Sequence, residues 1–307
     1  MYNALMVPLD GSEFGRYAIP WALAIAQPAN AHVHLVHVPM PPYGMGAVDE
    51  MLVAAEVAET QRASAEETLI DLAERLRLGT DVVFEAAMVE GSPADALVEY
   101  AAAHAIDLIV MTTHGRTGFA RAFIGSVSDT VVRQSRSPVL LVRPDRHPPE
   151  EREPAAVSEV LVLLDGSPAS ELILDHAAEL CRLTGAGCTL LHVVTPELLL
   201  TGVAVPAAMA PRVAADDERM AEAYLASQAE RLRDGHVPWT TATVRHPDLA
   251  EGILEYCATH PVSLVAMTTR GTAGVERAVL GSATDALLRK THLPILVASS
   301  HETHHVR

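Results

Sequence analysis

Met111-Thr-Thr-His-Gly-Arg-Thr-Gly-Phe-Ala-Arg-Ala-Phe-Ile-Gly-Ser126 follows the apolar run Ala105 to Val110 and precedes a helical pattern from Val127 to Gln134. It reads as strand, glycine-bearing loop and helix. In such a passage, backbone N–H groups and a helix N-terminus receive anions. The same chemistry returns at Met267 to Ser282, Met-Thr-Thr-Arg-Gly-Thr-Ala-Gly-Val-Glu-Arg-Ala-Val-Leu-Gly-Ser. Placing Gly115 on Gly271 and Gly125 on Gly281 gives an offset of 156 residues. Asp10-Gly11-Ser12 with Asp165-Gly166-Ser167, and His37-Val38 with His192-Val193, give 155. A chain of 307 residues with that repeat predicts two domains, 1–143 and 158–300. The proline-rich, charged stretch 144–157 reads as a linker and 301–307 as a tail.

Working outward, Ala4 to Leu9 reads as a strand ending at the Asp-Gly-Ser turn. Ser12 then caps a helix from Glu13 to Gln27. Ala31 to Val38 is the second strand, Met40 to Ala47 a loop, and Asp49 to Leu78 a long helix. Asp81 to Val89 gives a third strand; Ser92 and Pro93 open a helix through His104, and Ser137 to Val142 gives the fifth strand. The second half repeats the plan: strands Glu159 to Leu164, Cys188 to Val194, Val237 to Val244, Val262 to Thr268 and Pro294 to Ala298, with a helix over Val213 to Arg233 after a long loop. Strict strand-helix alternation predicts parallel sheets with helices on both faces, and ligands beyond the carboxyl ends of the strands. Asp10 and the loop from Thr112 converge there, as do Asp165 and the loop from Thr268.

The charge balance of 39 acidic to 22 basic residues, net −17, opposes binding to nucleic acid or an anionic membrane. Three cysteines, none in a Cys-x-x-Cys pair, fit a reducing compartment. Neither a signal-peptide pattern nor an apolar run of spanning length is evident, so a cytoplasmic location is expected. Of 15 histidines, His32 and His34 alternate on one strand and His301, His304 and His305 cluster in the tail, without ligand spacing to cysteine or carboxylate. No metal site is expected.

On these landmarks the chain resembles the universal stress proteins, in their tandem, ATP-binding form. The family pattern is Gly-x2-Gly-x9-Gly-[Ser/Thr] with an Asp ending the first strand. Here nine residues separate Gly115 from Gly125-Ser126 and Gly271 from Gly281-Ser282, while Thr112 and Thr268 stand at the first glycine. The resemblance implies an adenine nucleotide alpha hydrolase-like, Rossmann-like α/β fold, with two tandem open five-stranded parallel sheets of order 3-2-1-4-5. It implies ATP, with or without Mg2+, as the bound group. Asp10 and Val38 would flank adenine and ribose, with Pro8 and Met111 lining the base and Thr112 against the nucleotide. Gly115, Gly125, Ser126 and Ser128 would hold the phosphates, with Val127 in the same nucleotide-binding set, and Arg116 in the loop suits neutralising a triphosphate tail. The second set is Leu163, Asp165, Val193, Met267, Thr268, Gly271, Gly281, Ser282, Ala283 and Thr284. Ser126 and Ser282 also suit helix caps.

A nucleotide-dependent regulatory module of the stress response, without rapid catalysis and with no catalytic residue assigned, is the expectation. The alternatives are a slow ATPase and a nucleotide-free interaction scaffold. No Gly-x4-Gly-Lys-[Ser/Thr] loop is present, and Lys290 is the sole lysine. The last strand of each half, ending an open sheet, suits pairing of the domains as an internal pseudo-dimer, with homodimerisation and unidentified regulatory proteins as further partners.

Overall fold

The structure is a computed structural model that describes residues 2–39, 48–113, 125–144, 155–195, 210–233, 235–269 and 282–299. It divides into two compact units, the first running to Ala155 and the second from Ala156.

In the first unit, β1 (Ala4–Leu9) leads through a 3-10 helix (Glu13–Ala18) into α1 (Ile19–Ala29). There follow β2 (His32–His37), α2 (Val48–Arg77), β3 (Phe84–Met88), α3 (Pro93–Ala103), β4 (Leu108–Thr112), α4 (Ser126–Gln134) and β5 (Val139–Val142). The strands are parallel in the order β3-β2-β1-β4-β5. The second unit contains β6 (Glu159–Leu163), α5 (Pro168–Glu171), α6 (Ile173–Thr184), β7 (Gly187–Val194) and α7 (Ala210–Arg231). It closes with β8 (Trp239–Arg245), α8 (Leu249–Thr259), β9 (Leu264–Thr268), α9 (Ser282–Lys290) and β10 (Ile295–Ala298). Its order, β8-β7-β6-β9-β10, is the same 3-2-1-4-5 pattern, again parallel. The fold class is as the sequence predicts.

Every residue of β4, β5, β9 and β10 is buried, the continuous apolar signature of strands covered on both faces. Leu5, Met6, Leu35, Ile109 and Leu140 form the heart of the first core, and Leu161, Leu190, Leu264 and Ile295 of the second.

Two local differences have physical causes. The helix expected over Glu13 to Gln27 is split, because Pro20 has no N–H to close onto the Arg16 carbonyl. The Ile19 N–H takes that carbonyl instead, which tightens the first stretch into a 3-10 helix. The fourth strand begins at Leu108 rather than Ala105, since Ala105 is left-handed (φ 48°) and Ile106 N–H still bonds Ala101 after α3. Ser92 occupies the N-cap position of α3, yet its side chain makes no capping bond.

His34 is buried, not solvated, and its Nδ1 shares a 2.9 Å hydrogen bond with the Tyr100 hydroxyl, while Tyr100 stacks on His104 at 3.8 Å. The second unit keeps the stack as Tyr256 on His260, also 3.8 Å. There Thr189 bonds Thr240 in place of a histidine. Among the described residues, no group of three or more metal-ligating side chains is assembled, and no helix is long and apolar enough to cross a membrane.

Phe84 is fully buried at the start of β3, against Val33 of β2 in the register. Phe84→Ala is expected to destabilise the first unit by about 3–5 kcal/mol, the usual cost of emptying a buried aromatic site. Urea unfolding measures it, and a loss below about 1 kcal/mol would show that the site collapses freely.

Candidate functional site

Parallel pairing brings the chemistry to one end of each sheet. In the first unit Pro8 pairs with Val36 and Leu9 with His37, so Asp10 and Val38 leave the two strands level with each other. β1 also pairs with β4, Leu5 opposite Leu108 and Met6 opposite Ile109, which carries Met111 and Thr112 to the same rim. Val38, Met111 and Thr112 are buried there, while Pro8 and Asp10 are half-buried.

Asp10 is held by a turn of its own making. Its Oδ1 accepts from the Ser12 N–H at 3.0 Å and from the Ser12 hydroxyl at 2.6 Å, and Gly11 takes φ 80° between them. Only glycine enters that left-handed region without strain. Ser12 Oγ in turn accepts from Gly15 N–H at 3.4 Å, capping the 3-10 helix. A Cβ on Gly15 would stand 3.2 Å from Asp10 Oδ1, so the helix packs directly against the carboxylate. The second unit repeats the device: Asp165 Oδ1 accepts from Ser167 N–H at 3.0 Å and hydroxyl at 2.6 Å, with Gly166 at φ 83°. Ser170 N–H then donates to Ser167 Oγ at 3.1 Å. Leu163, Val193, Met267 and Thr268 occupy the corresponding strand ends, with Met267 and Thr268 buried.

On the other side of the rim, Gly125 N–H donates to the Thr113 carbonyl at 2.8 Å. A Cβ at Gly125 would lie 3.2 Å from that oxygen, which accounts for glycine here. Gly125, with φ −60° and ψ 146°, is the N-cap of α4; Ser126 is its first helical residue and so does not cap it. The Ser126 carbonyl accepts from Thr130, and Ser126 itself is exposed. Val127 is half-buried beside it, and Ser128 is buried with its hydroxyl donating to the Thr112 carbonyl at 3.0 Å. That bond ties the helix start to the end of β4. At the matching position Thr284 is buried with its Oγ1 unpartnered, next to half-buried Ala283. Gly115, Arg116, Gly271 and Gly281 lie outside the described residues, and of Ser282 only the helical backbone is described.

The doubled His-Val landmark carries a role that spacing alone did not suggest. His37 is buried with Nδ1 2.7 Å from the Leu9 carbonyl, so its ring clamps the end of β2 to the end of β1. Its counterpart His192 has Nδ1 buried without a hydrogen-bond partner. Burial lowers the His192 pKa, with the Leu164 carbonyl and the Asp165 carboxylate opposing the drop.

The sequence model of the universal stress protein family matches residues 1–143 and 157–299. A universal stress protein of Methanocaldococcus jannaschii is 32% identical over 145 residues, covering 47% of this chain and 83% of that protein. One from Mycobacterium tuberculosis is 27% identical over 308 residues, covering 96% of this chain and 97% of its own length. Among solved structures, a universal stress protein from Archaeoglobus fulgidus shares the fold with a TM-score of 0.65 at 19% identity, covering 97% of this chain and 96% of that one.

A histidine held neutral in the native state binds fewer protons than in the unfolded chain below the ordinary value of 6.5. Stability from His192 is therefore complete above 6.5 and declines as pH falls below it. Urea midpoints of wild type and His192→Asn, compared between pH 5 and 7.5, should converge toward the acid end, as wild type loses this contribution. A difference independent of pH would contradict the assignment.

Proposed function

The chain belongs to the universal stress protein family, and from that premise we propose an ATP-binding regulatory module in which each half holds one nucleotide at its strand ends. The observation that carries the reading is the repeated juxtaposition of an Asp-Gly-Ser turn with the end of the neighbouring strand and a following helix. It supplies, in one rim, the two things a nucleotide needs. A carboxylate accepts from ribose hydroxyls, and the first turn of a helix, whose N–H groups have no intrahelical acceptor, receives phosphate.

In the first half Asp10 takes the sugar, and Pro8, Val38 and Met111 offer an apolar bed for the base. Gly125 and the first turn of α4, Ser126 to Ser128, face the phosphates, together with Gly115 and Arg116 of the preceding loop. Thr112 presents its carbonyl to Ser128 rather than to solvent, which keeps the bed rigid. In the second half Asp165, Leu163, Val193, Met267 and Thr268 take the corresponding roles, with Gly271, Gly281, Ser282, Ala283 and Thr284 on the phosphate side. ATP would supply the phosphate charge that this end of the rim receives, and Mg2+, where it accompanies the nucleotide, would share in neutralising that charge. The protein's own contribution is to bind and orient: no P-loop lysine is available, since the sole lysine, Lys290, pairs with Glu251. Nucleotide occupancy then acts by favouring one arrangement of the rim over another, the logic of a ligand-biased switch.

Gly125→Glu places a carboxylate where the phosphates are to sit and crowds the Thr113 carbonyl. Calorimetric titration with ATP is expected to lose one of two binding equivalents, a weakening of at least about 100-fold at the first half. Unchanged stoichiometry and affinity would show that the phosphates lie elsewhere.

A further inference from the structure

In the second unit β8 ends the strand order. A terminal strand turns the N–H and C=O of every second residue sideways, a template for a further strand that proteins commonly blunt with proline, lysine, a bulge or a covering side chain. The Cys188 N–H donates to the Pro238 carbonyl and the His246 N–H to the Val194 carbonyl. Even-numbered residues of β8 therefore bond β7, and Trp239, Thr241, Thr243 and Arg245 turn their backbone groups outward. None of the four is buried, and Thr241 and Arg245 are exposed. The strand, Trp-Thr-Thr-Ala-Thr-Val-Arg, has no proline, glycine or lysine, and its threonines and valine suit a pleated pairing.

The repeat supplies an internal control. Val33 pairs with Phe84 as Cys188 pairs with Trp239, so β3 is the matching strand of the first unit. There the Val33 N–H takes the Val83 carbonyl and the Val89 N–H the His37 carbonyl, which turns Phe84 outward. Arg77, closing α2, donates to the Phe84 carbonyl and covers that edge. The exposed carboxylate of Glu85 stands beside it. The buried pairs Leu69 with Leu225 and Ala73 with Ala229 set Arg77 on Arg233. Arg233 instead pairs with Glu230 of α7 at 3.0 Å. One edge is thus covered by its arginine, and among the described residues no such cover reaches the outward groups of β8.

We propose that β8 is the seam through which two copies of this chain associate, their strands antiparallel about a twofold axis at Ala242. A second copy is selected by how the strand reads against its own reverse. With Ala242 opposite Ala242, Thr241 meets Thr243 and Trp239 meets Arg245. Threonine opposite threonine and a guanidinium opposite an indole are favourable cross-strand pairs, and the one charged residue of the strand never faces its like. The outward residues of the two strands exchange about eight hydrogen bonds. At about 3.3 Å per residue the seam is about 23 Å long, a narrow contact that gives a weak, concentration-dependent dimer. The net charge of −17 opposes association, and salt screens that repulsion. The seam does not involve the nucleotide rim and does not depend on that reading.

Sedimentation velocity of the full-length protein across micromolar concentrations should show a monomer and dimer in equilibrium, with association strengthened at least about threefold when NaCl rises from about 0.05 M to about 0.5 M. Thr241→Pro removes an outward N–H that the β7 ladder does not use, and should leave a monomer with unchanged circular dichroism. Ala86→Pro, the matching change on β3, should leave the dimer in place. Ala242→Cys tests the register without a proline: it sets two thiols across the axis in a non-hydrogen-bonded pair, where oxidised glutathione should join them into a disulfide-linked dimer. Thr240→Cys, which faces Val244 of the other copy, should not be linked in this way. Sedimentation as a monomer at every concentration, a dimer that survives Thr241→Pro, open-ended polymers, or equal linking of Ala242→Cys and Thr240→Cys would each overturn the proposal.

Discussion

In each half, one carboxylate oxygen closes the turn that leaves the first strand. Asp10 Oδ1 takes both the N–H and the hydroxyl of Ser12, and Asp165 Oδ1 does the same with Ser167 at matching distances. The turn needs a glycine at positive φ in its middle, and the serine it positions becomes the cap of the next helix. Strand end, helix start and an oriented carboxylate are therefore one unit. Substituting the aspartate would loosen all three at once, which is why the Asp-Gly-Ser triplet recurs intact when most of the surrounding sequence has diverged between the halves.

The parallel sheet acts on that unit by placement. Because β1 lies between β2 and β4, the carboxylate is flanked on one side by the His37 ring, bonded to the Leu9 carbonyl, and on the other by the Thr112–Ser128 bond that anchors α4. These contacts use main-chain carbonyls at the strand ends as acceptors. They tie side chains to the frame and leave the rim a preformed surface, consistent with a binding role that needs orientation more than motion.

Much of this was legible in the sequence, for identifiable reasons. Alternation of short apolar runs with amphipathic stretches specified parallel strands. The offsets of 155 and 156 specified two copies. Asp10 and the loop from Thr112 could be placed at one rim because strand ends in such sheets share an edge, while Val38 and Met111 joined them through the family resemblance. The helix boundary at Gly125-Ser126 was misread because both residue types favour N-caps. Only the close approach to the Thr113 carbonyl decides that the glycine takes the extended position. The break at Pro20 escaped because its effect depends on which carbonyl the missing N–H would have met.

The halves share a frame and differ in what surrounds it. His34 and Glu85 correspond to Thr189 and Thr240, and Arg16 to Glu171, while the turn and the strand register stay the same. The account therefore predicts equal capacity for nucleotide in two otherwise unequal environments. Native mass spectrometry of the full-length protein with ATP counts that capacity directly. Two nucleotide adducts per chain at saturation are predicted, and a spectrum without adducts, under conditions that preserve the fold, would contradict it.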